Sequence, residues 1–253
     1  MTLIDTHAHL YYDDIYNNLD RVLDEANKND VKKIVCIGTD LSTSKQSVDI
    51  ANKYDNVYAA VGIHPHDSKD TPKDYIKDLE NLALSSKKVV AIGEIGIDHY
   101  RNISPKDIQE KVMIEQMELA KSLSLPIIFH NRDADKDILE VLKRYPFDKA
   151  LAHCYSSDIS FAEKLLSLNV LLSFSGNVTF NNSINQSAIQ NITLKDFVLE
   201  TDCPFLAPQP FRGKPNEPKY VKDIALFISN LLDIEFEEIA KETTNNAELF
   251  FKI

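Results

Sequence analysis

The sequence predicts an α/β protein of the (β/α)8 or TIM-barrel class, with its active site at the carboxyl ends of the strands. Three observations carry that expectation. Short apolar runs alternate with segments of helical period along the whole chain. Eight such runs can be counted, and the side chains able to do chemistry gather where the runs end. At 253 residues the chain has the length of one such barrel, expected as a single domain over 1–253. A doubly wound open sheet is the structural rival, but no glycine-rich phosphate loop follows the first strand.

The first strand is Leu3-Ile4-Asp5-Thr6-His7-Ala8-His9, where alternation puts His7 and His9 on one face. Asp5 shares that face and is placed to orient one imidazole. Leu19, Val22, Leu23 and Ala26 then recur at helical spacing. The second run, Ile34 to Gly38, leads to a helix through Val48 and Ala51. The third, Val57 to Ile63, enters His64-Pro65-His66 directly. Thr71-Pro72 reads as a helix start, with a capping hydroxyl and a proline at the first helical position. That helix carries Tyr75, Ile76, Leu79 and Leu82.

The fourth run, Val89 to Gly93, ends at Glu94, and Ser104-Pro105 repeats the capped start before a long helix with Val112, Leu119, Ala120 and Leu123 inward. Pro126 to Phe129 ends at His130, and the next helix bears Ile138, Leu139 and Leu142. Ala150 to Ala152 ends at His153, and Asp158 can cap the helix bearing Phe161, Ala162, Leu165 and Leu166. Val170 to Phe174 closes on Ser175-Gly176. The last run, Phe197 to Thr201, ends at Asp202. Val221, Ile224, Ala225 and Ile228 mark a further helix, and a final one passes through Ile239.

Composition narrows the function classes. Hydrophobic residues at 43% and charged residues at 26% are those of a soluble globular protein. No run approaches a membrane-spanning length, and no basic region followed by an apolar stretch opens the chain. Three cysteines, without paired spacing, argue against a disulfide framework and for a reducing cytoplasm. Cys36, Cys154 and Cys203 read as buried core residues. A net charge of −11 excludes a protein that coats nucleic acid by charge alone. It permits an enzyme meeting phosphate at a local site, where divalent cations bring their own charge.

Of the seven histidines, His7, His9, His64, His66, His130 and His153 fall at or just past a strand's carboxyl end, and His99 a few residues past the fourth. Packing or surface polarity alone would spread them over both ends and the helices. Glu94 and Asp202 end apolar strands in the same way, a costly place for a charge unless a cation receives it. His7, His9, Glu94, His130, His153 and Asp202 exceed the four ligands of one tetrahedral ion. They suit two ions bridged by a carboxylate, a centre that can clamp both the attacking and the leaving oxygen of a hydrolysed ester. Chemistry alone points to metal-assisted hydrolysis of a phosphoester or an amide.

The motifs IDTHAHL (4–10), AVGIHPHD (60–67), AIGEIGIDHYR (91–101), LPIIFHNRDADKD (125–137), AHCYS (152–156) and LETDCPFLAPQPFRGKPNEPKYV (199–221) cover nearly the whole chain. Together they resemble the TatD family of metal-dependent deoxyribonucleases, within the amidohydrolase-like barrels, and Thr243-Thr244-Asn245-Asn246 with Leu249-Phe250 fits that family's closing pattern. The resemblance implies His7, His9 and Asp202 on one metal, His130 and His153 on the other, and Glu94 bridging them. It implies that Asp202 takes a proton from the attacking water and that His64 contacts the scissile phosphate or assists the leaving group. His66 is an expected substrate or structural contact. Two motifs depart from the family: Gly96-Ile97-Asp98-His99-Tyr100 stands for its usual Gly-Leu-Asp-Tyr-Tyr, and His153-Cys154-Tyr155-Ser156-Ser157 for His-Cys-Phe-Ser-Gly. Neither touches an expected ligand; both bear on substrate preference.

Arg101, Arg132, Arg212 and Lys214 follow strand ends and offer a local basic lip, with Arg132 and Arg212 as expected substrate contacts. The leading expectation is a 3′–5′ exodeoxyribonuclease using two divalent ions, Mg2+, Mn2+ or Zn2+. The alternative is another ester hydrolase of the family, such as a D-aminoacyl-tRNA deacylase, so DNA, RNA or tRNA is the expected partner. A carbon–nitrogen amidohydrolase fits less well, because such enzymes often carry a carboxylated lysine where this chain has Glu94. A scaffold protein that had lost its ligands fits less well still, since every expected position is filled. No membrane or obligate protein partner is expected, and a monomer is the default.

Overall fold

The computed structural model describes residues 1–253. Its strands and helices alternate: β1 Leu3–Ala8, α1 Asp13–Tyr16, α2 Leu19–Lys28, β2 Val31–Ile37, α3 Leu41–Lys53, β3 Val57–Val61, α4 Tyr75–Ser85, β4 Val89–Asp98, α5 Lys106–Leu123. They continue with β5 Ile127–Arg132, α6 Asp135–Arg144, β6 Ala150–Ala152, α7 Ile159–Leu166, β7 Val170–Phe174, α8 Asn185–Ile189, β8 Phe197–Leu199, α9 Val221–Leu232 and α10 Phe236–Phe251. All eight strands stand on the eight apolar runs. No helix is long and apolar enough to cross a membrane.

The chain divides into two compact units. The first comprises residues 1–36, 154–162 and 172–253. Within it β1 pairs with β2 in parallel (Leu3 with Val31, Ala8 with Cys36) and β7 with β8 (Leu172 with Phe197, Phe174 with Leu199). Past the end of β8, a parallel bridge from Cys203 to Ala8 joins the last strand to the first. Strand order in this unit is therefore β7-β8-β1-β2. The second unit comprises residues 37–153 and 163–171. Its order is β3-β4-β5-β6, all parallel, with Val61 beside Ile92, Ile95 beside Phe129, and Phe129 beside Ala152.

The pattern of burial explains these elements. Every residue of β1 and of β4 is buried, as expected of parallel strands covered on both faces. Leu19, Val22, Leu23 and Ala26 form the buried stripe of α2, and Val221, Ile224, Ala225 and Ile228 that of α9. A capping box opens α3: Asp40 accepts from the Thr43 amide at 2.7 Å while the Thr43 hydroxyl accepts from the Asp40 amide at 2.9 Å. Asp158 caps α7 as expected, accepting from the Phe161 amide at 3.0 Å.

Several local expectations are corrected. Helix α4 begins at Tyr75, not at Thr71-Pro72; the Thr71 hydroxyl instead donates to Ser68 O, closing a 3-10 turn over Ser68–Asp70. Ser104 does not cap α5. Its hydroxyl donates to His66 O at 2.8 Å and accepts from the Lys69 amide at 3.1 Å, tying down the segment after β3. Strand β4 runs through Glu94 to Asp98, and β5 past His130 to Arg132, because Gly96 to Asp98 keep pairing with His130 to Arg132. Strand β8 stops at Leu199, since the Thr201 amide turns to the Asp5 carboxylate. Helices α1 and α8, of four and five residues, are too short to show a period in sequence.

Candidate metal centres

In the second unit, Glu94 gathers imidazoles. Its Oε1 lies 3.0 Å from His130 Nδ1, 3.3 Å from His153 Nε2 and 3.4 Å from His64 Nε2. The carboxylate is 3% exposed. Gly93, just before it, lets β5 come close: a Cβ there would stand 2.7 Å from Ile128 Cβ and 2.8 Å from Ile128 O. Burial pushes the Glu94 carboxyl up, yet His153, His64 and His130 outweigh it and hold it well below the usual carboxylate range. His64, Glu94 and His130 bring their donor atoms within 4.8 Å of one another, close enough to hold one ion. His64 nevertheless fits a donor better than a ligand. Its Nδ1 accepts the His66 amide at 3.1 Å, so the neutral ring carries its proton on Nε2, toward Glu94. Burial keeps His64 neutral, with a pKa lowered to about 4.

Behind this set stands Asp98, which sequence reasoning did not single out as a site residue. Its buried Oδ2 lies 3.1 Å from His130 Nε2 and 2.9 Å from His66 Nε2, and its Oδ1 accepts the Arg101 amide at 2.7 Å. It therefore orients His130 from behind while Glu94 meets the ring's other nitrogen. Burial lowers the His130 pKa, but hydrogen bonds to Asp98 and Glu94 more than restore it, and the net direction is up. Two buried glutamines of α5 fix the strand ends that carry these groups. Gln109 brackets the Asp98 backbone, accepting from its amide at 2.8 Å and donating to its carbonyl at 3.2 Å. Gln116 does the same for Ile63, beside His64, at 2.7 and 3.1 Å. Two polar residues on the inward face of an amphipathic helix, seven apart, were the available signal.

In the first unit, His7, His9 and Asp202 meet. Asp202 Oδ1 lies 3.4 Å from His9 Nε2 and 3.9 Å from His7 Nε2, with the two rings edge to face at 5.0 Å. The strand ends are laced together: the Asp202 amide donates to His7 O at 2.9 Å and the His9 amide to Cys203 O at 2.8 Å. Asp202 adopts a left-handed φ of 58°, which aspartate tolerates better than most residues. The Tyr11 hydroxyl lies 3.1 Å from His9 Nδ1 and orients that ring.

Asp5 does not orient an imidazole, as alternation had suggested. It accepts from the His7 amide at 3.3 Å, the Thr201 amide at 2.9 Å and the Thr201 hydroxyl at 2.6 Å, so it clamps backbone. Burial pushes its carboxyl up to about 8, against those hydrogen bonds. Cys154 is not a core residue either. A φ of 47° breaks the alternation expected to bury it; it is half-exposed, its Sγ lies 3.2 Å from Ser175 Oγ, and its amide donates to Glu200 at 2.8 Å. Cys36 and Cys203 are buried, and no cysteine is in a disulfide.

The expected rim contacts fare differently. His66 Nε2 lies 2.9 Å from Asp98 Oδ2, and the ring is half-buried. Arg132 and Arg212 are exposed, lying over the rings of Tyr100 at 3.9 Å and Phe180 at 4.3 Å. His99 pairs with Asp137 at 2.5 Å, apart from both ligand sets.

The profile of the TatD related DNase family matches residues 4–252, through both units. The chain belongs to the TatD family of metal-dependent hydrolases. It is 41% identical over 254 residues to YabD of Bacillus subtilis, an uncharacterized metal-dependent hydrolase, covering 99% of each chain. It is 36% identical to the like-named YcfH of Escherichia coli K12, covering all of this chain and 97% of that one. The crystal structure of YJJV, a TatD homolog from Escherichia coli, matches with a TM-score of 0.95 and 28% identity, covering 99% of this chain and 98% of that one. The (β/α)8 barrel class expected from the sequence is the fold of this TatD chain.

Proposed function

We propose that this TatD protein is a divalent-metal-dependent phosphodiesterase, acting on DNA as a 3′–5′ exodeoxyribonuclease. The observation that carries the reading is the convergence of His64, His130 and His153 on one oxygen of Glu94, with Asp98 fixing His130 from behind. Imidazole nitrogens and a carboxylate concentrated in this way suit a transition-metal ion better than a structural ion pair, which needs one cation and not several rings. As the family resemblance implies, His7, His9 and Asp202 would hold one ion and His130 and His153 a second, with Glu94 as a further carboxylate ligand. Bound ions supply Lewis-acid polarisation of the ester and neutralise its developing charge. Asp202, the more accessible carboxylate, takes a proton from the attacking water. His64, neutral and fixed as an Nε2–H donor by the His66 amide, gives a hydrogen bond to the leaving oxygen.

The test is to load purified protein with Mg2+, Mn2+ or Zn2+ and incubate it with 3′-labelled single-stranded DNA and, separately, with D-aminoacyl-tRNA. Stepwise release of nucleotides from the DNA, with two metal ions per chain by elemental analysis, is the expected result. Rapid deacylation of the tRNA with no nucleotide release would replace the nuclease by the ester-hydrolase alternative.

A further inference from the structure

Two aromatic side chains stand exposed beside the His9–Asp202 set in the first unit. Tyr12 is 41% and Phe205 46% exposed, and their rings meet at 5.4 Å and 81°, forming an open corner. His9 lies at the base of the corner, its ring 6.1 Å from Tyr12 and 6.0 Å from Phe205, and Tyr11 stacks behind Tyr12 at 5.2 Å. The backbone that presents Phe205 is held firmly. Its amide donates to Asp202 O at 2.9 Å, and its carbonyl accepts from Asn216 Nδ2 at 2.6 Å. Asn216 is wholly buried and also donates to Thr201 O at 2.8 Å, tying the aromatic tip to the strand end that carries Asp202. Gly176 lets the same loop seat, since a Cβ there would stand 1.9 Å from Leu206 O. A rigid backbone presenting an exposed ring is a preorganised contact surface.

We propose that Tyr12 and Phe205 form a subsite for the unpaired nucleobase at the reacting end of the strand, the base stacking on Phe205 with its edge toward Tyr12. The inference rests on the nuclease reading and specifies how that site grips its substrate. Stacking suits a chain of net charge −11, to which backbone electrostatics alone lend a polyanion little affinity, with Arg132 and Arg212 exposed over the rings of Tyr100 and Phe180 for local phosphate contact. Stacking on an aromatic face is indifferent to that charge and tolerant of sequence, because every base has a π-face.

The probe is a single-stranded oligonucleotide with 2-aminopurine at its 3′ end and a phosphorothioate at the terminal linkage, titrated against metal-loaded protein. Wild type should bind it with quenched fluorescence. Phe205→Ala and Tyr12→Ala should each weaken binding about 5- to 100-fold and relieve the quench, with unchanged circular dichroism. Phe205→Trp should restore both, and an oligonucleotide ending in an abasic site should bind wild type as weakly as the alanine variants bind the parent. If wild type cleaves DNA but folded Phe205→Ala and Tyr12→Ala bind and quench as wild type does, the subsite is wrong and the nuclease reading stands. If wild type neither binds nor cleaves any oligonucleotide, both fall.

Discussion

The two ligand sets are built on opposite plans. Around Glu94, side chains hold side chains: three imidazoles meet one carboxylate oxygen, and Asp98 takes the far nitrogen of His130. Around Asp202, most of the holding is of the backbone. The amides of Asp202 and His9 lace the strand ends together, and Asp5 grips the amides of His7 and Thr201, not a ring. His7 and His9 approach Asp202 only to 3.9 and 3.4 Å. The first plan sets ring orientation and charge together, so losing one partner disturbs both. The second separates them, so the fold can weaken while the ligands stay in place. Ligand geometry is thus protected in one unit by electrostatics and in the other by hydrogen bonds to the backbone of strand ends distant in sequence.

Breaking the charge-holding set should give the largest effect. Glu94→Gln removes the negative charge shared by three imidazoles, and we expect nuclease turnover to fall by about 10²–10³-fold with the circular dichroism spectrum intact; Asp202→Asn should do the same. Wild-type turnover in either variant contradicts the two-ion reading. Next comes Asp98→Asn, which leaves every expected ligand present. Metal affinity, measured by competition with a chromogenic chelator, should weaken about 10- to 100-fold. An unchanged affinity would show that His130 needs no partner behind it.

The backbone-held set should answer in stability. Thr201→Val strands a buried oxygen of Asp5 and should cost about 1–3 kcal/mol in urea unfolding, while chelator competition moves far less than for Asp98→Asn. Equal losses of metal affinity in the two variants would erase the distinction. The smallest effect concerns the segment running on from Asp202. Glu217, bonded to Arg21 at 2.8 Å and Lys219 at 3.0 Å, is raised by burial but held below its ordinary 4.5 overall by these cations. A carboxyl with a depressed folded-state pKa stabilises above its unfolded value, and that contribution is lost as pH falls through the folded one. Glu217→Gln should therefore cost about 0.5–1 kcal/mol at pH 7, since Arg21 is half-exposed, and the difference should shrink in acid unfolding as pH falls through the lowered folded-state pKa.

His7, His9, Glu94, His130, His153 and Asp202 are legible as candidates because each sits at the end of an apolar run, and parallel βα repeats send all such ends the same way. Asp98 was passed over because β4 was expected to stop at Glu94, and its partners His66 and His130 lie 32 residues away on either side. Gln109 and Gln116 hid in a helix read for its apolar stripe. Asp5 was placed on the right face but given the wrong partner: alternation sets the direction of a side chain and says nothing of whether an amide or a ring awaits it. Cys154 was misplaced because a left-handed φ suspends alternation at that residue.

By itself the sequence determined the eight-fold alternation, the strand ends that carry the metal-type donors, and membership of the TatD family, because periodicity and motif spacing are local properties of the chain. Only the tertiary structure decided how those donors are supported. It turned the closing strand onto the first through Cys203 and Ala8, converged three rings on one oxygen of Glu94, and set Asp98 and two helix glutamines behind them. Those contacts join residues far apart in sequence, and a hydrogen bond depends on a few tenths of an ångström that no spacing rule encodes.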